Sequence, residues 1–395
     1  MTNFLKMADL DLANKRVLIR CDFNVPIKDG KVLNKERIDR ALPTIRLARE
    51  MGAQIILMSH LGQPAEGCFD PVFSLRFVCD VLSESLGETV LLVQDPWEKR
   101  LPTEAAIILL ENTRFWPGEL ENSTELAKRL ADLADVFVMD AFATAHRAHA
   151  STVGVIFAAK VACAGPLLCE ELDALEKALT TPQKPVVAIV GGAKVSTKIK
   201  LIDSLLSKVD CLLVGGGIAN TFLLAKGYEI GTSLVEKDCV SYARDALKRA
   251  EERGILIPLP TDVVVAPAMN QSERAIVRLV SDVEAHEAIF DLGPATSRDY
   301  STLLRSMATI LWNGPVGLFE VPAFSGGTRA IAQAVAESPA YTLAGGGDTL
   351  AAIDQFGFHA EISYISTGGG AFLAWCEGEP LPAVSALIES VKDKI

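Results

Sequence analysis

The feature that most constrains this chain is its rhythm: short apolar runs alternate with amphipathic helical stretches along most of its 395 residues. That alternation is the pattern of βαβ units and a mainly parallel sheet, because parallel neighbours need a long crossover that a helix supplies. In the first half the runs predict strands at Val17–Arg20, Gln54–Met58, Ala106–Leu110 and Val136–Met139. In the second half they predict strands at Val186–Val190, Cys211–Val214, Ile310–Trp312, Thr342–Ala344 and Ile362–Ile365. Between the halves Leu168, Leu172, Leu175 and Leu179 fall on one face of a helix over Gly165–Thr180, which Thr181-Pro182-Gln183-Lys184-Pro185 breaks. The predicted fold is α/β: two doubly wound parallel-sheet lobes joined by a helix, with a cleft between them. The lobes are read as residues 1–165 and 181–370, the connecting helix as 166–180, and a C-terminal segment as 371–395 with Val384, Leu387, Ile388 and Val391 on one helical face.

Open α/β sheets bind ligands outside the carboxyl ends of their strands, so the strand exits carry the functional signal. The first-half exits read Arg20-Cys21-Asp22-Phe23-Asn24, Ser59-His60-Leu61-Gly62-Gln63, Glu111-Asn112-Thr113-Arg114, and Asp140-Ala141-Phe142 running on to His146-Arg147-Ala148-His149. Three of the four lead to an arginine, the residue that grips phosphate or carboxylate with two parallel hydrogen bonds. Surface ion pairs are the plain alternative for any one of them. His146 and His149 have no third metal ligand nearby in sequence, which argues against zinc.

The second-half exits are glycine-rich: Gly191-Gly192, Gly215-Gly216-Gly217, Asn313-Gly314-Pro315, Gly345-Gly346-Gly347-Asp348 and Thr367-Gly368-Gly369-Gly370. Glycine lets a ligand lie against the backbone and leaves N–H groups to cradle an anion, the character of a nucleotide lobe. In Gly191-Gly192-Ala193-Lys194-Val195-Ser196-Thr197-Lys198 the lysines are four apart, which predicts that they share the first turn of a helix. Two cations at a positive helix end call for a bound phosphate, the plain alternative being a surface lysine pair with the glycines used for packing. The segment is not a Walker A motif, and no glycine cluster has the Gly-x-Gly-x-x-Gly spacing of a dinucleotide fold. Asp348 reads equally as a Mg²⁺ contact or as a helix N-cap, and Glu320 as an acceptor for ribose hydroxyls.

Composition narrows the class. The net charge is −12, from 38 Lys and Arg against 50 Asp and Glu, so bulk attraction to nucleic acid or an anionic membrane is excluded as a basis for function. Anionic ligands must be held by local cations. The eight scattered cysteines include no Cys-x-x-Cys pair and read as reduced thiols of a cytoplasmic protein, and no apolar stretch of about 18 residues predicts a membrane span. A cationic lobe joined to a glycine-rich lobe suggests a phosphoryl-transfer enzyme, ahead of a dehydrogenase or a two-lobed solute-binding protein.

At these motifs the chain resembles the phosphoglycerate kinase family from about Val17 to Leu387. The resemblance rests on Arg20-Cys21-Asp22-Phe23-Asn24-Val25-Pro26, Ser59-His60-Leu61-Gly62, Ala145-His146-Arg147-Ala148-His149-Ala150-Ser151, Gly191-Gly192-Ala193-Lys194-Val195-Ser196, Trp312-Asn313-Gly314-Pro315-Val316-Gly317, Gly345-Gly346-Gly347-Asp348 and Ser366-Thr367-Gly368-Gly369-Gly370-Ala371, in that order. It implies the reaction 1,3-bisphosphoglycerate + ADP ⇌ 3-phosphoglycerate + ATP, with Mg²⁺, in a monomer whose lobes close on a hinge and whose C-terminal segment returns to the first lobe. It implies that Asp22, Phe23, Asn24, Arg37, His60, Leu61, Gly62, Gln63, Arg114 and Arg147 surround 3-phosphoglycerate. It assigns the nucleotide to Lys198, Asn313, Glu320, Gly346, Gly347, Asp348 and Thr349, with Asp348 on the metal. Arg20, Lys194, Gly346 and Gly369 are the implied catalytic groups. The chain departs from the family pattern at Gln63, where arginine is usual, at Ala143, where glycine is usual, and at Cys21, where an apolar residue is usual.

Overall fold

The computed structural model describes residues 4–97, 101–102 and 105–392. The chain divides into two compact units, residues up to Leu172 together with those from Pro380 onward, and Asp173–Glu379.

The first unit is built on strands β1 (Arg16–Arg20), β4 (Gln54–Met58), β5 (Val90–Val93), β6 (Ile107–Leu110), β7 (Val136–Met139) and β8 (Ala162–Ala164), with a small hairpin of β2 (Ile27–Lys28) and β3 (Lys31–Val32). The six-stranded sheet has the order β5-β6-β4-β1-β7-β8 and is parallel throughout. Val17, Ile19, Ile55 and Leu57 of the central strands pack in one core with Ile38, Ala41, Leu42 and Ile45 of helix Glu36–Glu50. Burial on both faces is why these strands read as continuous apolar runs. Two sheet strands were missing from the sequence reading. In β5 only Val90 is fully buried, and Ala162-Cys163-Ala164 in β8 are small residues without β-branched character.

The second unit holds β9 (Val186–Val190), β10 (Cys211–Val214), β14 (Thr309–Asn313), β15 (Tyr341–Gly345) and β16 (Tyr364–Ser366) in a parallel sheet of order β10-β9-β14-β15-β16. The last strand starts two residues later than predicted, because His359–Glu361 form a 3₁₀ turn that ends just before Ile362. A second sheet, which the sequence did not announce, accompanies the parallel one: β11 (Asp262–Ala266), β12 (Ile276–Leu279) and β13 (Ala288–Leu292) pair antiparallel in the order β12-β11-β13. The links between these strands are too short for a helical crossover, so the chain must double back.

The connecting helix runs from Pro166 to Leu175 and continues as a wider turn over Glu176–Thr180; the two units divide within it, between Leu172 and Asp173. Its start is held by Asp140 at the exit of β7, whose Oδ1 accepts from Leu168 N at 3.1 Å. A side chain on Gly165 would collide with that carboxyl, its Cβ meeting Asp140 Cγ at 2.5 Å. Helix Gly370–Cys376 falls in the second unit, while helix Pro382–Lys392 falls in the first, where Ala383 N donates to Ala145 O at 3.1 Å.

Burial pushes the Asp140 carboxyl up to about 7. The folded state therefore keeps a proton that an unfolded chain releases near pH 3.9. The resulting stability is fully present below about pH 4 and is lost as pH rises through about 7. Asp140→Asn cannot titrate, so wild type is expected to lose stability relative to this variant between pH 4 and 7, at a rate approaching about 1.4 kcal/mol per pH unit. Denaturation curves at several pH values check this; a constant difference would mean that Asp140 is ionised throughout.

Candidate active site

In the first unit the chain steps from β1 to β4 on one side and later returns to β7 on the other, so the strand order reverses at β1, where such sheets bind ligands. Arg20 is the last residue of β1 and is 1% exposed. Its Nε donates to Ser151 Oγ at 3.0 Å, its Nη1 to the Cys21 carbonyl, and its Nη2 lies 3.3 Å from His60 Nδ1. Arginine has no acceptor, so His60 accepts at Nδ1 and carries its proton on Nε2.

Burial, and then Arg20, Arg114, Arg147 and Arg37, hold the His60 imidazole well below the usual histidine range. His149 is pushed down to about 4 by burial and by Arg20, Arg114 and Arg147. Two neutral imidazoles thus sit in a field set by four guanidiniums that come from three strand exits and one helix. Arg37, on helix Glu36–Glu50, donates through Nη1 to Asp22 Oδ2 at 2.6 Å and to Asn24 O at 3.3 Å. Arg147 Nε donates to His146 Nε2 at 3.3 Å, and Arg114 Nη1 donates to the Gly62 carbonyl. Burial and the neighbouring Arg147 and Arg20 lower the Arg114 pKa, the mark of crowded like charge.

The loops that carry these groups are tied to one another. Phe23 N donates to Ser59 Oγ at 2.8 Å and Gly62 N to Asn24 Oδ1 at 2.9 Å. Asn112, which sequence reasoning quoted but gave no role, is the main tie. Its Oδ1 accepts from Leu61 N and Arg114 N, each at 3.1 Å, and its Nδ2 donates to Leu61 O at 2.7 Å and Phe73 O at 3.0 Å. Phe23 and Leu61 are themselves buried, whereas Gln63 is exposed. The buried pair Glu119 and Ser151, which meets Arg20, was also missed, because no motif or spacing singles out Glu119.

In the second unit the exits of β9, β14 and β15 converge. Lys198 Nζ donates to Asn313 Oδ1 at 2.6 Å, and Asn313 Nδ2 donates to Gly345 O at 2.7 Å. Thr349 Oγ1 accepts from Gly314 N at 2.7 Å and donates to Gly345 O at 3.0 Å. Burial lowers the Lys198 pKa, while Glu377 and Asp348 work against that shift. Gly346 (φ +100°) and Gly369 (φ +50°) cap helices Gly347–Phe356 and Gly370–Cys376 without a side-chain hydrogen bond, so backbone N–H groups line both helix starts.

Two expectations are corrected. Lys194 and Lys198 do not share a helical face: Lys194 is exposed before a 3₁₀ turn over Ser196–Lys198, and the α-helix begins at Ile199. The turn is tight because Glu236 accepts from Ser196 N at 2.8 Å and Ser196 Oγ at 2.6 Å. Asp348 is not an N-cap, because Gly346 holds that place and Asp348 is exposed within the first turn. Glu320 is exposed beyond Val316 and Phe319.

An α/β unit with converging arginines and a second with glycine-rich strand exits are the parts of a phosphotransferase. The phosphoglycerate kinase family model matches residues 7–379. A phosphoglycerate kinase from Coxiella burnetii is 55% identical over 388 residues, covering 98% of this chain and 99% of that protein. One from Legionella pneumophila (strain Corby) is 54% identical over 390 residues, covering 99% of this chain and 98% of that protein. The solved structure of the Coxiella burnetii enzyme superposes with a TM-score of 0.94, covering 99% of this chain and 100% of that one at 55% identity. The crystal structure of phosphoglycerate kinase from Pyrococcus horikoshii OT3 gives 0.81, covering 98% of this chain and 99% of that one at 32% identity. The chain belongs to the phosphoglycerate kinase family. It is a glycolytic kinase, a phosphotransferase acting between 1,3-bisphosphoglycerate with ADP and 3-phosphoglycerate with ATP.

Gly191 and Gly314 bring two of the glycine-rich turns into backbone contact. A Cβ on Gly191 would overlap the Pro315 carbonyl and lie 2.6 Å from Gly314 O. Gly191→Ala is expected to cost about 1–3 kcal/mol by overpacking and to raise the KM for ATP by separating Lys198 from Asn313. Chemical denaturation and steady-state kinetics check both; an unchanged stability would place the two turns farther apart.

Proposed function

We propose that the arginine-rich exits of the first unit hold 3-phosphoglycerate and the glycine-rich exits of the second hold the nucleotide. The observation that carries this reading is the neutral, buried His60 surrounded by Arg20, Arg37, Arg114 and Arg147, a cationic cluster that an anionic acid would neutralise. Asp22, Phe23, Asn24, Leu61, Gly62 and Gln63 complete the acid site. Lys198, Asn313, Glu320, Gly346, Gly347, Asp348 and Thr349 form the nucleotide site.

In the ATP-consuming direction a carboxylate oxygen of 3-phosphoglycerate attacks the γ-phosphorus. The new O–P bond makes the acyl phosphate as the bond to the β–γ bridging oxygen breaks and ADP leaves with that electron pair. The nucleophile is already an anion, so no general base is required, and catalysis rests on positioning and charge neutralisation. Arg20 and Lys194 neutralise the transferring phosphoryl oxygens, Lys198 the nucleotide phosphates, and backbone N–H groups at Gly346 and Gly369 the developing charge. Acid and nucleotide are assigned to different units, so closure on a hinge belongs to the mechanism.

The carboxylate of the exposed Asp348 accepts no hydrogen bond among the described residues, and Mg²⁺ favours one or two carboxylates combined with phosphates and waters, so the residue fits this ion. When bound, it would neutralise phosphate charge. The reading also takes the enzyme as a cytoplasmic monomer; among the described residues no helix is long and apolar enough to cross a membrane.

A coupled assay with 3-phosphoglycerate and MgATP tests the reading. Wild type should consume ATP only when the acid is present, and Asp348→Asn should need more Mg²⁺ for half-maximal rate, because an amide is a weaker ligand for a hard cation. An unaltered Mg²⁺ titration would remove Asp348 from the metal site. Gln63→Arg should lower the KM for 3-phosphoglycerate several-fold while leaving that for ATP unchanged. A charge-assisted hydrogen bond contributes about 1.5–3 kcal/mol, but the exposure of this position reduces the gain. An unchanged KM for the acid would mean that residue 63 does not face it.

A further inference from the structure

Arg20 is held from behind by Ser151, which closes one of the quoted motifs but has no assigned role, and by Glu119, which no motif includes. Ser151 and Glu119 are both 0% exposed, and Arg20 is 1% exposed. Ser151 Oγ lies 2.5 Å from Glu119 Oε1 and 3.0 Å from Arg20 Nε, while Ser151 N donates to Glu119 Oε2 at 2.9 Å. A serine hydroxyl has one proton, and a carboxylate only accepts, so that proton points to Glu119. A lone pair of Oγ is then left for the Arg20 Nε–H. The direction of the relay is fixed: guanidinium to hydroxyl, hydroxyl to carboxylate.

The contacts also divide the guanidinium. Nε is taken by Ser151 and Nη1 by the Cys21 carbonyl, leaving Nη2, beside His60, as the edge turned toward the arginine cluster. Without Ser151 the Nε–H loses its partner, and the side chain can rotate to find another. Without the Glu119 charge, nothing obliges the serine hydroxyl to accept from arginine. Glu119 also stands as a counter-charge to Arg20 at a place that is closed to water.

We infer that Glu119 and Ser151 are positioning residues for the phosphoryl-transfer step: the carboxylate orients the Ser151 hydroxyl, which aims the Nη2 edge of Arg20 at the reacting phosphoryl group. This rests on the proposed role of Arg20 in that step.

A double-mutant cycle tests the inference, with kcat and both KM values measured in the ATP-consuming direction for wild type, Ser151→Ala, Arg20→Ala and the double variant. Ser151→Ala is expected to lower kcat by about 10- to 100-fold, the scale on which a misplacement of about 1 Å acts, while the KM for ATP stays unchanged. In the Arg20→Ala background the same substitution is expected to change kcat by less than about twofold, because the group it positions is gone. Equal losses in both backgrounds, or no loss in the wild-type background, overturn the inference alone. An intact kcat in Arg20→Ala itself overturns the catalytic reading of Arg20 and the inference with it, and is recognised in that single variant. If Ser151→Ala does not fold, Glu119→Gln, which keeps the volume and one acceptor oxygen, takes its place in the cycle: a loss confined to the wild-type background supports the inference, and equal losses overturn it.

Discussion

Four arginines that repel one another converge on one histidine, and most of the first unit is arranged to make that tolerable. His60 stays neutral, Asp22 meets Arg37 directly, and Glu119 meets Arg20 through Ser151. Removing charges from water is costly unless they are paired and hydrogen-bonded. The surrounding framework therefore has to be rigid. Asn112 links Leu61, Phe73 and Arg114, and Glu111 accepts from Ser74 Oγ, Leu75 N and Asn112 N at 2.7–2.8 Å, so neither strand exit can move without breaking buried bonds. What remains after this pairing is a surplus of positive charge, and an anionic acid is the partner that would complete it.

The second unit gathers its positive character differently. Its strand exits are dominated by glycines, and backbone lies against backbone: a Cβ on Gly314 would meet Gly191 Cα at 3.0 Å, and one on Gly217 would meet Ala193 Cα at 3.3 Å. Gly314 and Gly346 adopt φ near +100°, which other residues rarely reach. Helix starts without side-chain caps then contribute partial positive charge through their N–H groups. With a chain charge of −12, neither unit can rely on bulk attraction. Both concentrate positive character at strand exits, one with guanidiniums and the other with peptide groups and Lys198.

Much of this was legible in the sequence because it is carried by contiguous residues. A buried parallel strand must be an apolar run, so the charged and glycine residues that close it or follow it, among them Arg20, His60, Arg114, Arg147 and the glycine turns, stood out by position alone. The antiparallel sheet of β11, β12 and β13 was not read, although Val263-Val264-Val265 carries a strand signal, because its partners are identified by pairing rather than by pattern. The lysine pair misled because spacing of four implies one helical face only where the helix has begun, and Glu236, 40 residues beyond Ser196, holds this segment in a 3₁₀ turn.

The sequence by itself therefore determined the α/β class, the strand exits at which arginines and glycines gather and the family to which the chain belongs, since each is written in local runs and motifs. Only the tertiary structure decided which groups meet. Glu119 and Ser151 are 32 residues apart, Arg20 and Ser151 are 131 apart, and Lys198 and Asn313 are 115 apart. Nothing in the composition around Glu119 distinguishes it from any other glutamate. Burial raises the cost of its charge and leaves Ser151 and Arg20 to compensate it, and burial is a property of the packed fold rather than of the chain.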